Sequence, residues 1–137
     1  MTDSFTLDPR LAGNSLPVAS LDLSELRLMN DARFTWLLLV PRQAGLAEII
    51  DMEKPDRARL FEEIVAVMTA VKAITRCDKL NVAALGNQVH QLHVHVIARF
   101  EGDAAWPNPV WGTGATVAYD DETRDRLIAD LTAALQG

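Results

Sequence analysis

The chain holds three histidines, His90, His93 and His95, and all of them fall within six residues. In a strand, side chains two apart share a face. Gln91, His93 and His95 therefore project together, while Leu92, Val94 and Val96 project to the opposite face and can pack on a core. His90 has the wrong parity and sits where the strand begins. Imidazoles and an amide on one face of a rigid, apolar-backed element admit three readings. They can be ordinary polar residues on a half-exposed strand. They can supply metal ligands, since zinc takes histidine nitrogen, with the remaining ligands drawn from His90, Cys77 or an acid, none at a recognised spacing. They can also do nucleophilic chemistry at phosphorus. Imidazole titrates near neutrality, so one ring can attack while the other holds or donates a proton. That reaction needs donors for the non-bridging phosphate oxygens. The turn Gly86-Asn87-Gln88-Val89, just ahead of the strand, can offer backbone N–H groups.

Several elements must position this segment. Leu21 to Met29 alternates, with Leu26 and Leu28 on one face and Glu25 and Arg27 on the other, which predicts a strand. Asn30-Asp31-Ala32-Arg33 reads as a turn. Trp36 to Val40 reads as a strand buried on both faces and ended by Pro41, so the two runs form a hairpin. Pro55 suits the first turn of a helix, with Asp56 at the positive end of its dipole. Leu60, Phe61, Ile64, Val65, Met68 and Val71 then recur at spacings of three and four, predicting a core-facing helix that ends near Arg76. Leu80 to Leu85 reads as a strand, Gly86-Asn87 as a breaker, and Gln91 to Phe100 as a β-branched-rich strand. Trp106-Pro107-Asn108-Pro109 fits neither a helix nor a central strand. Asp120 and Asp121 can cap a last helix with Leu127, Ile128, Leu131 and Leu135 on one side.

Residues 1–19 contain two prolines and a glycine and read as an irregular arm. The pattern predicts one α+β domain over residues 1–137, an antiparallel sheet of about five strands with two helices. Its core spans residues 20–112, and a C-terminal helix spans residues 120–136. A length of 137 residues suits one domain with a proper core. Hydrophobic residues make up 49% and charged residues 23%, the proportions of a globular protein. No apolar run is long enough to span a bilayer. The net charge of −6 argues against a nucleic-acid partner, yet leaves room for a small phosphorylated ligand held by backbone amides. The single cysteine, Cys77, excludes an internal disulfide. With no secretory signal in view, the expected compartment is the cytoplasm.

The run from Gly86 to Ile97 resembles the signature of the histidine triad superfamily: His-x-His-x-His with x apolar, preceded by a Gly-Gln or Gly-Asn turn. Leu28-Met29-Asn30 followed by the Trp36–Pro41 strand is similar to that family's early hairpin, whose Asn or Asp contacts ribose. Asn81 lies near the family's phosphate-side Asn or Gln. Trp106-Pro107 resembles its Trp-Pro-Pro segment, displaced by two residues. The resemblance spans residues 20–112. It implies a homodimer acting on a small nucleotide conjugate, such as a dinucleoside polyphosphate or a nucleoside phosphoramidate, with no cofactor and no metal. His93 would form the covalent nucleotidyl intermediate, and a protonated His95 would assist at the leaving group. Asn87, Gln88 and Val89 would hold the phosphate, Asn30 the ribose, and Asn81 the phosphate side. The first triad position is Gln91. Glutamine can hydrogen-bond within a triad but cannot ionise near neutral pH. His90 could substitute only through a strand bulge. Two alternatives remain: a nucleotide-binding module with little catalysis because of Gln91, and a metal-dependent enzyme using His93 and His95 as ligands.

Overall fold

The computed structural model describes residues 4–137. In chain order the elements are α1 (Pro9–Asn14), β1 (Ser15–Ser20), β2 (Ser24–Met29), β3 (Trp36–Pro41), a single 3-10 turn (Ile49–Asp51), α2 (Lys54–Thr75), β4 (Lys79–Ala83), β5 (Val94–Arg99) and α3 (Asp121–Gln136). The strands form one antiparallel sheet in the order β1-β2-β3-β5-β4. This is an α+β fold with five strands. No helix among the described residues is long and apolar enough to cross a membrane.

The central strands β3 and β5 are buried at every position, as strands covered on both faces must be. Alternation divides their side chains between two apolar layers. Leu37 and Leu39 of β3 join Val94, Val96 and Ala98 of β5 on the face covered by α2 and α3. Trp36, Leu38 and Val40 of β3 join Ile97 of β5 on the other face, beneath Leu11 of α1 and Ala105 and Val110 of the loop after β5. The chemistry-bearing face of β5 is therefore turned away from the long helices.

That loop is anchored at Arg99, which is almost fully buried. Its guanidinium donates to both carboxylate oxygens of Asp103 at 2.8 and 3.0 Å, to the Asn108 carbonyl at 2.8 Å and to Oδ1 of Asn81 at 2.9 Å. Asp103 also accepts from the backbone N–H groups of Phe100, Ala105 and Trp106. The Arg99 hydrogen bond and these amides hold its carboxyl far below the usual carboxylate range.

Four expectations need correction. The segment expected as an irregular arm carries α1 and β1, apart from residues 1–3, which lie outside the described residues. Asp8 caps α1 by accepting from the Arg10 N–H, with Pro9 in the first turn. β1 is an edge strand, which is where Pro17 is tolerated, and its pairing shifts register between Pro17 and Ala19. On α2 the buried stripe is rotated: Leu60, Ile64, Val67, Ala70 and Val71 are buried, whereas Phe61 and Val65 are 64% and 41% exposed. β4 stops at Ala83, short of the expected Leu85. β5 begins at Val94, so Gln91 and His93 precede the ladder.

α3 starts where the cap signal placed it, with the Asp120 side chain accepting from the Thr123 N–H. Leu131 is its fully buried residue, set in the layer shared with α2. Leu131→Ala should therefore cost roughly 2–5 kcal/mol by loss of transfer energy and creation of a cavity. Urea unfolding measures this, and a midpoint matching the native chain would show that α3 does not close the core.

Candidate active site

His95 lies on β5 opposite Leu38 of β3. Its ring is buried between aromatic neighbours. Trp36 sits 5.7 Å away and tilted, and Trp111 sits 5.0 Å away and edge-on. The Trp36 indole Nε1–H donates to Nδ1 of His95 at 2.9 Å. An indole nitrogen only donates, so Nδ1 must be the acceptor and the ring proton belongs on Nε2. Burial disfavours the cation, and the neighbouring His93 disfavours it further. Together they push the His95 pKa down to about 3. This environment opposes the protonated His95 expected as general acid. His95 is a neutral imidazole that offers one N–H.

His93 takes the opposite tautomer. Its Nδ1 lies 2.7 Å from the backbone carbonyl of Gln91. A carbonyl only accepts, so Nδ1 carries a hydrogen, and in the neutral ring the lone pair lies on Nε2. The two rings lie edge to face with centroids 4.9 Å apart.

Both histidines line a cleft of about 390 Å³. Gly86, Asn87, Gln88 and Val89 form one wall, and Leu11, Asn14 and Met29 another, with Trp36 and Trp111 also in the lining. Gly86 adopts φ +70°, a left-handed conformation that lets the chain turn sharply out of β4. Among the described residues, the backbone N–H groups of Asn87, Gln88 and Val89 have no hydrogen-bond partner. A smaller cleft of about 270 Å³ meets the first at Leu85, Gly86 and His93 and is bounded beyond them by Ala47 to Ile50.

The structure thus brings His93 and His95 together with Asn87, Gln88 and Val89. It does not bring Asn30 and Asn81 to them. Oδ1 of Asn30 accepts from the Tyr119 N–H at 3.0 Å, Oδ1 of Asn81 accepts from Arg99, and neither residue lines the cleft. Both amides hold the fold, so the ribose and phosphate roles expected of them are withdrawn. Gln91 also departs from expectation. Because the ladder starts at Val94, its side chain is not carried onto the face of His95. It turns instead to the N-terminal segment, donating to the Thr6 carbonyl at 2.9 Å and accepting from the Asp8 N–H at 2.8 Å. His90 is exposed and outside the cleft. The residues that sequence reasoning missed are Trp36, Trp111, Leu11, Asn14 and Met29. The only available signal was the high aromatic density of the Trp106–Trp111 stretch.

Among the described residues, no group of three or more His, Cys, Asp or Glu side chains is placed to hold an ion. Nδ1 of His93 and Nδ1 of His95 are already engaged within the fold.

Comparison with known proteins agrees with this geometry. The profile described as the HIT domain matches residues 14–102. A histidine triad protein from Bradyrhizobium japonicum is 46% identical, with a TM-score of 0.96 over 97% of this chain and 99% of that one. A HIT protein from Sinorhizobium meliloti is 44% identical, with a TM-score of 0.93 over 95% and 96% of the two chains. A third, from Marinobacter aquaeolei, is 40% identical, with a TM-score of 0.95 over 98% of each. No curated protein matches the chain. The matched profile covers more than half of the 137 residues, and the structures align over nearly all of them. The chain belongs to the histidine triad (HIT) family.

Proposed function

We propose that this protein binds a nucleotide conjugate and cleaves it at the α-phosphate through a covalent nucleotidyl-His93. The observation that carries this reading is the tautomer of His93. Its Nδ1–H is spent on the Gln91 carbonyl, which leaves the Nε2 lone pair as the nucleophile beside a turn with three unpaired amides. Nε2 attacks phosphorus, the bond to the leaving group breaks, and the leaving group departs with the electron pair. The Asn87, Gln88 and Val89 amides donate to the non-bridging oxygens as charge gathers on them. His95 contributes its neutral Nε2–H as a hydrogen bond and does not transfer a proton. The leaving group draws any proton it needs from solvent. Water then attacks phosphorus, the P–N bond to His93 breaks, and one proton is released. Aromatic and apolar walls suit a nucleobase, the arrangement expected of a small-molecule cleft. Dinucleoside polyphosphates and nucleoside phosphoramidates share the α-phosphate that this chemistry addresses.

The protein is further proposed to act as a homodimer. Phe61 and Val65 leave an apolar stripe on α2, and Val82 is 43% exposed on the edge strand β4.

His93→Ala should abolish turnover while keeping affinity for a non-hydrolysable nucleotide within about tenfold, or 1.4 kcal/mol. Calorimetry and product assays on a panel of conjugates test both halves. Full turnover in the variant removes His93 as nucleophile. Tight binding by the native chain with no turnover on any substrate selects the binding-module alternative.

The tautomer assignment for His95 has its own test. A histidine with a depressed native pKa stabilises the fold above its unfolded value of about 6.5. That contribution is lost as pH falls toward about 3, because the unfolded chain takes up a proton that the native state refuses. In a ring-proton NMR titration of the native protein, His95 should stay neutral from about pH 8 to about pH 5. The kcat/KM profile should lack a basic limb belonging to it. A His95 midpoint near neutrality would return it to the role of general acid.

Sedimentation should give a particle of about twice the chain mass, and Phe61→Ser with Val65→Ser should dissociate it, since polar groups at a buried apolar contact are unfavourable. A native monomer at micromolar concentration would contradict the dimer.

A further inference from the structure

The Gln91 amide uses both of its ends on one stretch of backbone. Its Nε2–H donates to the carbonyl of Thr6, and its Oε1 accepts from the N–H of Asp8. A carboxamide presents a donor and an acceptor side by side, which is what a carbonyl and an N–H two residues apart on one extended segment require. The nitrogens of an imidazole diverge, and a protonated imidazole has no acceptor for the Asp8 N–H. The clamped segment leads directly into the site. Asp8 caps α1, and α1 carries Leu11 and Asn14 into the wall of the cleft that holds His93 and His95. Phe5 and Leu7 pack against the apolar layer beneath. Arg10 adds a second tie, donating from Nη1 to the Gln88 carbonyl at 3.0 Å, so the segment is also fastened to the phosphate-side turn.

We propose that the Gln91 side chain is a positioning group for ligand binding: it seats residues 6–14 as a strap that forms one wall of the cleft, and it takes no part in the chemistry at His93 and His95. The identity of the ligand rests on the nucleotide reading above. The clamp itself rests on the hydrogen bonds. On this view the glutamine does not stand in for a missing imidazole. Its place in the sequence motif is retained, but its chemistry is directed at the N-terminal backbone. The side chain acts on the ligand through Leu11 and Asn14.

Three measurements on the full chain test this. The first is amide hydrogen exchange at Asp8, followed by NMR. Gln91→Ala should speed it roughly tenfold, because the acceptor that protects it is gone. The second is calorimetric binding of adenosine 5′-monophosphate, which should weaken by about fivefold in Gln91→Ala, the size of a lost hydrogen bond acting at one remove. The third is kinetics on a nucleoside phosphoramidate, where KM should rise by about the same factor with the larger part of the effect in KM and not in kcat. Gln91→Glu keeps the acceptor for Asp8 but sets a carboxylate against the Thr6 carbonyl, so it should behave like Gln91→Ala in binding. Gln91→Ala and Leu11→Ala should be non-additive in the binding assay, since both act through the strap.

Unchanged exchange at Asp8, strict additivity with Leu11→Ala, or a loss confined to kcat with an altered pH profile would each overturn the proposal. The last outcome would place Gln91 in the triad's chemistry after all. If adenosine monophosphate binds and no conjugate is turned over, the hydrolase reading fails and the clamp is still judged by exchange and binding. If the native chain does not bind adenosine monophosphate, the nucleotide reading fails, and the clamp is judged by the Asp8 exchange alone.

Discussion

The hydrogen bond from the Trp36 indole to Nδ1 of His95 is the constraint on which the site depends. It joins adjacent strands between two largely buried rings. A buried donor or acceptor stripped of its partner costs about 1–3 kcal/mol, so neither group is free to turn away. With Nδ1 engaged, the single ring proton has one place left to go. The bond therefore sets the tautomer, the ring orientation and the charge of His95 together. It also sets the position of His93, whose ring packs edge to face against the ring that Trp36 holds. The pairing depends in turn on the register of β3 with β5, which places Trp36 opposite Ile97 and Leu38 opposite His95. A slip by one residue would send His95 into the layer beneath α2.

The other side of His95 is secured from a different direction. Trp111 comes from the loop after β5, a segment with no regular structure to fix it. Its placement is inherited from Arg99, whose guanidinium ties the Asp103 carboxylate and the Asn108 carbonyl to the end of β5. A buried ion pair of this kind is weak evidence for stability, because desolvation offsets much of the attraction. Its value here lies in geometry. Asp103 accepts from two guanidinium nitrogens and three backbone amides, so the loop has one well-defined course. Removing one member would leave an uncompensated buried charge, at a cost of about 3–5 kcal/mol. Arg99 also lies over the rings of Phe34 and Trp106, with its guanidinium carbon 6.0 and 5.6 Å from their centroids. The same residue thus couples the apolar layer, the loop and the aromatic wall of the cleft.

Much of this was legible in the sequence wherever the information was local. The alternation around Leu26 and Leu28, the apolar run of β3, and the Asp120 cap of α3 each depend on neighbours within a turn or a few residues. Each appears as read. The pair His93 and His95 was found because so few histidines fall so close together. What escaped depended on partners distant in the chain. β1 has a proline and little alternation, and it is a strand because β2 offers it an edge. Phe61 and Val65 fit the helical period as well as Val67 does, and only the position of the sheet decides which stripe is covered. Gln91 was assigned to the catalytic face by parity, yet parity holds only inside a ladder, and the ladder begins three residues later. Trp36 and His95 are 59 residues apart, and their bond follows from strand register, which no local pattern states. Asn30 and Asn81 were assigned by resemblance alone, and in this chain their side chains hold Tyr119 and Arg99.

In the proposed reaction, the absence of charge on His95 has chemical consequences. An imidazolium beside His93 would draw electron density from its lone pair and would repel any positive charge that develops on the attacking ring. A neutral His95 avoids both effects. It also gives up the strongest contribution a general acid could make, because an N–H that is not transferred stabilises charge only as a dipole. The stabilisation must then come from several fixed donors acting together. The unpaired amides of Asn87, Gln88 and Val89 are suited to this, since they are held by a turn that Gly86 makes feasible and need little reorganisation when charge appears. The apolar walls strengthen each of these interactions by lowering the local dielectric. The same burial that disables His95 as an acid therefore increases the effect of every remaining dipole in the cleft, and the two consequences cannot be separated by moving either histidine alone.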